Sequence, residues 1–182
     1  ATKDAVSLSV RLSENNLRGA LIIYNYYISN SYSNFEEKKI SFKDFFHNYK
    51  KITKNKLPFL AALIDKKVVG IAYVNKFREK SGYRFAFENT IYIHHKYKKK
   101  GIGSKLLGEL IFISKKNKKI KKLVAVISGI NSKGSIKIHQ KLGFKESGIL
   151  KKIGFKNGKW IDAILMQKDI WKKLIKIITK KP

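Results

Sequence analysis

The chain contains no cysteine, which excludes disulfides, cysteine-ligated zinc and a cysteine acyl-enzyme. A group transfer must then use another nucleophile or pass directly between two substrates. No uninterrupted apolar stretch approaches the roughly 20 residues needed to span a bilayer, and Ala1-Thr2-Lys3-Asp4 has no apolar signal core. The expectation is a cytoplasmic protein with no membrane partner. Acidic residues are few, 12 against 41 Lys and Arg, so the formal charge is +29. That charge raises a polyanion-binding reading, because clustered cations neutralise phosphates and release counterions. Arginine, however, is scarce: Arg11, Arg18, Arg78 and Arg84 are the only four. Base-edge readout favours the arginine fork, whereas here single lysines are spread over most polar positions, alongside abundant Ile and Asn, as an A/T-rich coding sequence produces. No specific nucleic-acid partner is expected, although nonspecific polyanion binding at low salt is.

A chain of 182 residues suits one compact domain, taken as residues 1–170, followed by a basic amphipathic tail over 171–182. The domain opens with a short strand near Val6 to Leu12. Ser13 is a good N-cap for a helix carrying Leu17, Ala20, Leu21, Tyr24 and Ile28, and Phe42, Phe45, Phe46 and Tyr49 repeat the helical spacing. Leu57 to Ile64 and Val68 to Val74 are apolar runs separated by Asp65-Lys66-Lys67, which suits an antiparallel hairpin. A further strand covers Arg84 to Ile93, and Ile102, Leu106, Leu110 and Ile113 mark a helix of about four turns. Leu123 to Ile127 is apolar on both faces and therefore central, so the sheet contains a parallel crossover. Ser135 to Leu142 is a helix stopped by Gly143, and Asn157-Gly158 turns a hairpin into a last strand ending near Gln167. Trp171, Leu174, Ile175 and Ile178 predict a short amphipathic terminal helix, either docked on the surface or frayed.

Lys98-Lys99-Lys100-Gly101-Ile102-Gly103-Ser104 follows a strand and opens a helix. It lacks the third glycine of the dinucleotide fingerprint, since Leu106 stands there, and it lacks the spacing of the nucleoside-triphosphate phosphate loop. What remains is a short turn whose backbone N–H groups sit at a helix N-terminus beside three lysines, suited to a pyrophosphate. An ordinary strand-to-helix turn with solvated lysines fits the same residues.

The Lys-x-x-Gly-x-Gly turn after a Tyr92-centred strand, Asn131 before a helix, and His139-Gln140-Lys141-Leu142-Gly143-Phe144 together resemble the Gcn5-related N-acetyltransferase (GNAT) superfamily. Within it, the similarity is greatest to phosphinothricin and methionine sulfoximine acetyltransferases. That narrower likeness rests on Tyr27-Ile28 to Phe35, Gly70-Ile71-Ala72-Tyr73, Phe77-Arg78 with Tyr83 before Glu88, and Gly154 through Asp162. The resemblance implies an α/β (α+β) domain: a mixed, twisted sheet of about seven strands flanked by about four helices. It implies acetyl-coenzyme A as cosubstrate, no metal, a small-molecule amine as acceptor, and a homodimer. Ile91, Tyr92 and Ile93 would pair with the pantetheine arm, and Lys98, Lys99, Lys100, Gly101, Ile102, Gly103 and Ser104 would cradle the pyrophosphate. Asn131 and Ser135 would meet the thiol end of the arm. Lys98 stands where the family has Arg or Gln, keeping the charge without the planar fork.

Acetyl transfer to a primary amine needs a free lone pair, so an ammonium must first lose a proton. Glu88 is the candidate base, set between Phe87 and a strand running into Ile91 and Ile93, where burial raises a carboxyl pKa. A carboxylate balancing nearby lysines is its plainer reading. His139 is a second candidate, as base or relay, although a lone histidine beside Leu142 also suits a structural part. Phe144 occupies the place where some relatives carry a tyrosine, which leaves the departing thiolate to solvent. In a chain where lysine is the default cation, Arg78 implies that fork geometry matters. With Phe77 it matches the family's substrate segment, as the ligand of a carboxylate or phosphinate. Phe35, Tyr83 and Phe87 complete the expected pocket wall. A protein or peptide N-acetyltransferase and an idle polyanion-binding module are the alternative functions.

Overall fold

The computed structural model describes residues 7–9 and 11–171. In order these form β1 (Ser7–Ser9), α1 (Leu17–Asn30), α2 (Phe42–Lys54), β2 (Phe59–Ile64), β3 (Lys67–Lys76), β4 (Ala86–Ile93), α3 (Ile102–Lys116), β5 (Lys122–Ser128), α4 (Lys133–Lys141), β6 (Lys145–Lys156) and β7 (Lys159–Asp169). The expected terminal helix beyond Trp171 lies outside the described residues. Ser13 does not cap α1. It precedes a 3-10 turn, Glu14–Asn16, without a side-chain cap bond, and α1 starts behind Asn16; the first turn has tightened, as helix starts commonly do. Ser41 does cap: its hydroxyl accepts the Asp44 N–H at 3.1 Å and opens α2.

One seven-stranded sheet has the order β1-β2-β3-β4-β5-β7-β6. Two-residue turns close both tight hairpins. Asp65 and Lys66 join β2 to β3 with φ of 47° and 64°, and Asn157 and Gly158 join β6 to β7 with φ of 48° and 73°. Two successive positive φ values give the turn whose twist matches that of paired strands. Asn-Gly meets this need cheaply, whereas Asp65-Lys66 does so without glycine.

Among the described strands only β4 and β5 run parallel, joined through α3. Their pairing covers Ala86↔Lys122, Phe87↔Leu123 and Glu88↔Val124 and then stops, while β5 continues along β7 as far as Ser128↔Ala163. The sheet splits down its middle. Leu106, Leu107 and Leu110 of α3 are fully buried, as are Leu60, Ile71 and Leu123 of the strands, so the hydrophobic core holds both halves although the ladder between them ends. No helix among the described residues is long and apolar enough to cross a membrane.

Candidate active site

Alternation along β4 decides what each residue faces. Phe77 N–H donates to Ala86 O at 3.2 Å, and His94 N–H donates to Val69 O at 2.8 Å. Even-numbered residues of β4 therefore turn their backbone groups to β3, and Asn89, Ile91 and Ile93 turn theirs toward β5. Beyond Glu88 no strand lies on that side, so the peptide groups of Ile91 and Ile93 face the split. The Ile93 carbonyl already accepts the Tyr27 hydroxyl at 2.6 Å. Side chains divide the same way: Tyr92 stacks on Tyr27 of α1 with ring centroids 4.6 Å apart, while Asn89, buried on the opposite face, meets His139 of α4.

The split opens into a cleft of about 940 Å³. Its far end is a cradle for anions. Gly101 has φ +77° and caps α3 without any side-chain bond, a left-handed conformation that glycine adopts at little cost. The first bond within the helix runs from Lys105 N–H to Gly101 O at 3.2 Å, which leaves the N–H groups of Ile102, Gly103 and Ser104 without helical acceptors. A second helix start joins them, because Ile136 N–H is the first to bond back, to Ser132 O at 3.0 Å. Gly101 to Ser104, Asn131, Ser135, Lys98 and Lys99 all line the cleft. The N-termini of α3 and α4, each with partial positive charge, thus both open onto the cleft. Lys100 does not line it; its ammonium lies over the Tyr97 ring, 5.1 Å from the centroid.

Glu88 stands where the two parallel strands part, and it too lines the cleft. Burial holds its carboxyl pKa above the ordinary value, with the Arg78 charge pulling the other way. His139 is only 2% exposed, and burial lowers its pKa against the hydrogen bond its ring donates to the Ser135 backbone carbonyl. Its Nδ1 lies 2.8 Å from Ser135 O and its Nε2 2.9 Å from Asn89 Nδ2. A carbonyl only accepts, so Nδ1 carries the proton and Nε2 accepts from the amide. Both nitrogens of a neutral ring are engaged within the protein, while the residue itself borders the cleft. The other amide atom, Asn89 Oδ1, is buried without a partner among the described residues. Phe144 packs edge-on against His139 at 4.9 Å and is buried.

The expected substrate wall divides in two. Phe35 lines the cleft; Phe77, Arg78, Tyr83 and Phe87 do not. Phe87 belongs to the core, because it neighbours Glu88 on a strand and so points to the opposite face. Phe77 and Tyr83 pack edge-to-face at 5.9 Å, with the Arg78 guanidinium 5.1 Å over Phe77, forming an exposed group within electrostatic reach of Glu88. Unforeseen residues complete the wall: Tyr24, Tyr27, Glu36, Tyr73, Asn75 and Lys76. Asn75 lies directly across the ladder from Glu88, so strand register was the signal that would have found it. Tyr24 belongs to the apolar helix stripe read in the sequence, and its ring does pack on Phe45, but with Tyr27 it also floors the cleft. Burial raises the pKa of Tyr27 to about 12 and that of Tyr92 further, so these phenols stay protonated. No group of three or more metal-ligating side chains occurs among the described residues.

Residues 11–165 match the model of the acetyltransferase (GNAT) domain. A phosphinothricin N-acetyltransferase of Alcaligenes faecalis is 31% identical over 157 residues, 86% of this chain and 79% of that protein. Among solved structures, a GNAT superfamily phosphinothricin acetyltransferase from Sinorhizobium meliloti in complex with AcCoA superposes with TM-score 0.84 at 33% identity, covering 90% of this chain and 88% of its own. A ribosomal-protein-alanine N-acetyltransferase from Brucella melitensis gives 0.85 at 31%, covering 90% and 99%. With its parted parallel strands and two helix N-termini open to the cleft, the chain belongs to the GNAT acetyltransferase family.

Proposed function

We propose that the protein acetylates the primary amine of a small amino-acid-like substrate, such as phosphinothricin, methionine sulfoximine or methionine sulfone, using acetyl-coenzyme A and Glu88 as general base. The observation that carries this reading is a single one: a half-buried carboxylate with a raised pKa at the point where β4 and β5 separate. Bound acetyl-coenzyme A supplies an acetyl thioester. Lys98, Lys99 and the N–H groups of Ile102 to Ser104 suit its pyrophosphate, and the outward-facing peptide groups of Ile91 and Ile93 suit its amide-bearing arm, in the manner of an added strand. Tyr92 supports this edge through its ring, and Asn131 and Ser135 flank the thiol end.

Glu88 accepts a proton from the substrate ammonium, directly or through a water, and frees the lone pair that attacks the thioester carbon. The Ile91 N–H is placed to polarise the carbonyl oxygen. Transfer is direct from thioester to amine: the C–N bond forms, the C–S bond breaks, the nitrogen gives up its second proton and the departing thiolate takes one from solvent; the chain has no cysteine to carry the acetyl group. His139 acts here by holding α4 against β4. Lys76 in the cleft wall provides positive charge for a carboxylate or phosphinate, with Arg78 acting through its field at Glu88, and Phe35, Tyr24 and Tyr73 enclose the apolar part of the substrate.

A homodimer is part of the same reading. Ile153, Phe155 and Trp160 are 60%, 51% and 62% exposed along the β6–β7 hairpin, the kind of apolar surface a second copy covers. The site of action is the cytoplasm. The name of the Brucella neighbour favours a second reading, acetylation of a protein N-terminus. Ser33 to Glu36 wall the acceptor end, which suits a small molecule better than an extended peptide.

Free thiol released from acetyl-coenzyme A, followed over a panel of amino acids and alanine-starting peptides, tests both. Turnover with phosphinothricin or methionine sulfoximine, and none with peptides, is expected. Turnover confined to peptides would overturn the small-molecule reading.

A further inference from the structure

Lys156 is the most deeply buried charged residue described, with no exposed surface. Burying an ammonium is unfavourable unless its N–H groups find acceptors. Lys156 finds them outside its own strand. Its Nζ donates to Ser31 O at 2.9 Å and to Asn34 O at 2.6 Å, across more than a hundred residues of sequence. Both carbonyls belong to the irregular segment between α1 and α2, residues 31–41, which has no ladder or helix to satisfy them. That segment carries Ser33, Asn34, Phe35 and Glu36 into the cleft.

The contact is one of several along a seam. Phe35 lies so close to Gly154 that an added Cβ there would come within 2.4 Å of its ring. Lys159 lies 5.7 Å over the ring of Tyr32. At the far end of the segment, Asn25 of α1 donates to Ile40 O and accepts from Ile40 N–H, both at 3.0 Å. The hairpin is itself braced: Asp162 accepts the Lys152 N–H at 2.8 Å and the Lys151 ammonium at 2.9 Å, where the β6–β7 register shifts between Leu150 and Gly154. This bulge re-aims the strand end and delivers Gly154 and Lys156 to the loop.

We propose that Lys156 is a positioning residue for the acceptor substrate, its buried ammonium pinning the 31–41 segment so that Phe35 and Glu36 form the wall opposite Glu88. A lysine suits the task because it offers three donors and no acceptor, and two loop carbonyls converge on it. Burial lowers its pKa while Glu37 and Glu36 favour the charge, so the same segment that needs the cation also sustains it. The inference rests on the acetyltransferase reading of the cleft for its kinetic part only.

The test is Lys156→Met in the full chain, which keeps the stem and removes the charge. Hydrogen exchange of the amides of residues 33–39 is expected to quicken by about tenfold or more, the scale of one lost charged hydrogen bond, with β2 and β3 unaffected. The KM for the amine should rise by about the same factor, and the KM for acetyl-coenzyme A should not move, because its cradle lies on α3 and α4. Should Lys156→Met fail to fold, Gly154→Ala disturbs the seam from the Phe35 side and should show the same split. A folded variant whose loop exchange stays at the wild-type rate overturns the proposal, as does one in which kcat alone falls. Because exchange needs no substrate, a loosened loop in a protein that acetylates no amine would sustain the pin and refute the amine reading.

Discussion

Replacing Glu88 by glutamine keeps the side chain's shape and removes its ability to take a proton. A positioned general base contributes roughly 10²- to 10⁴-fold. The structure points to the middle of that range: Glu36, the other carboxylate lining the cleft among the described residues, sits on the loop after α1 and not where β4 and β5 part, and the other candidates are engaged. His139 has its Nε2 lone pair committed to Asn89 and its Nδ1 proton to Ser135, and the tyrosines are held protonated by burial. A fall in kcat of about 10³-fold is therefore expected, with the KM for acetyl-coenzyme A little changed. The pH profile sharpens the test. Burial raises the Glu88 pKa, so wild-type activity is lost as pH falls through a value above that of an ordinary carboxylate. Arg78 opposes that shift, so Arg78→Ala should move the acidic limb to still higher pH. Stability carries the opposite sign. A raised folded-state pKa favours the protonated form, a contribution present at low pH and lost as pH rises through the raised value. Glu88→Gln should therefore raise Tm relative to wild type at pH 8 but not at pH 4. Thiol-release kinetics from pH 5 to 9 and thermal melts at the two pH values suffice. If turnover of the variant stays within about threefold of wild type, or its acidic limb persists at the same pH, Glu88 is not the base.

Asn89→Asp sets a carboxylate against His139 Nε2 and favours a proton there, so the lowered His139 pKa should climb, read from the ring proton shift by NMR; an unmoved titration would refute the Asn89–His139 contact. Gly101→Ala meets no atom within 4 Å, so its cost is backbone alone, about 1 kcal/mol for a left-handed residue. For a chain of this size that lowers Tm by about 2–4 °C, and the KM for acetyl-coenzyme A should rise as the cradle shifts. Gly134 also has open space but no positive φ; Gly134→Ala should raise Tm slightly, by the scale of about 0.4–1 kcal/mol.

Local chemistry was legible where one residue type meets a local demand. Gly101 lies at positive φ ahead of α3, Gly143 at φ +84° ends α4, and Asn157-Gly158 turns the last hairpin. Apolar periods located the helices and the central strand to within a few residues, because burial of one face imposes them. The α1 start was misplaced at Ser13, where capping residues and a 3-10 turn compete over a short span. Phe87, expected in the pocket wall with Phe35 and Tyr83, lies in the core instead, because adjacency to Glu88 on a strand means the opposite face. Lys76 and Asn75 were passed over for Arg78, since only the β3–β4 register brings Asn75 opposite Glu88.

The sequence by itself determined the local elements, the absence of thiol chemistry, the glycine turn at a helix start and a carboxylate on the strand before it. These depend on residue identity and on spacings of a few positions. Tertiary structure decided where β4 and β5 stop pairing, that His139 is occupied on both nitrogens, and that Lys156 pins a loop more than a hundred residues away. Those depend on partners far apart in the chain, and the free energy of such a contact is a property of the pair, visible in neither residue alone.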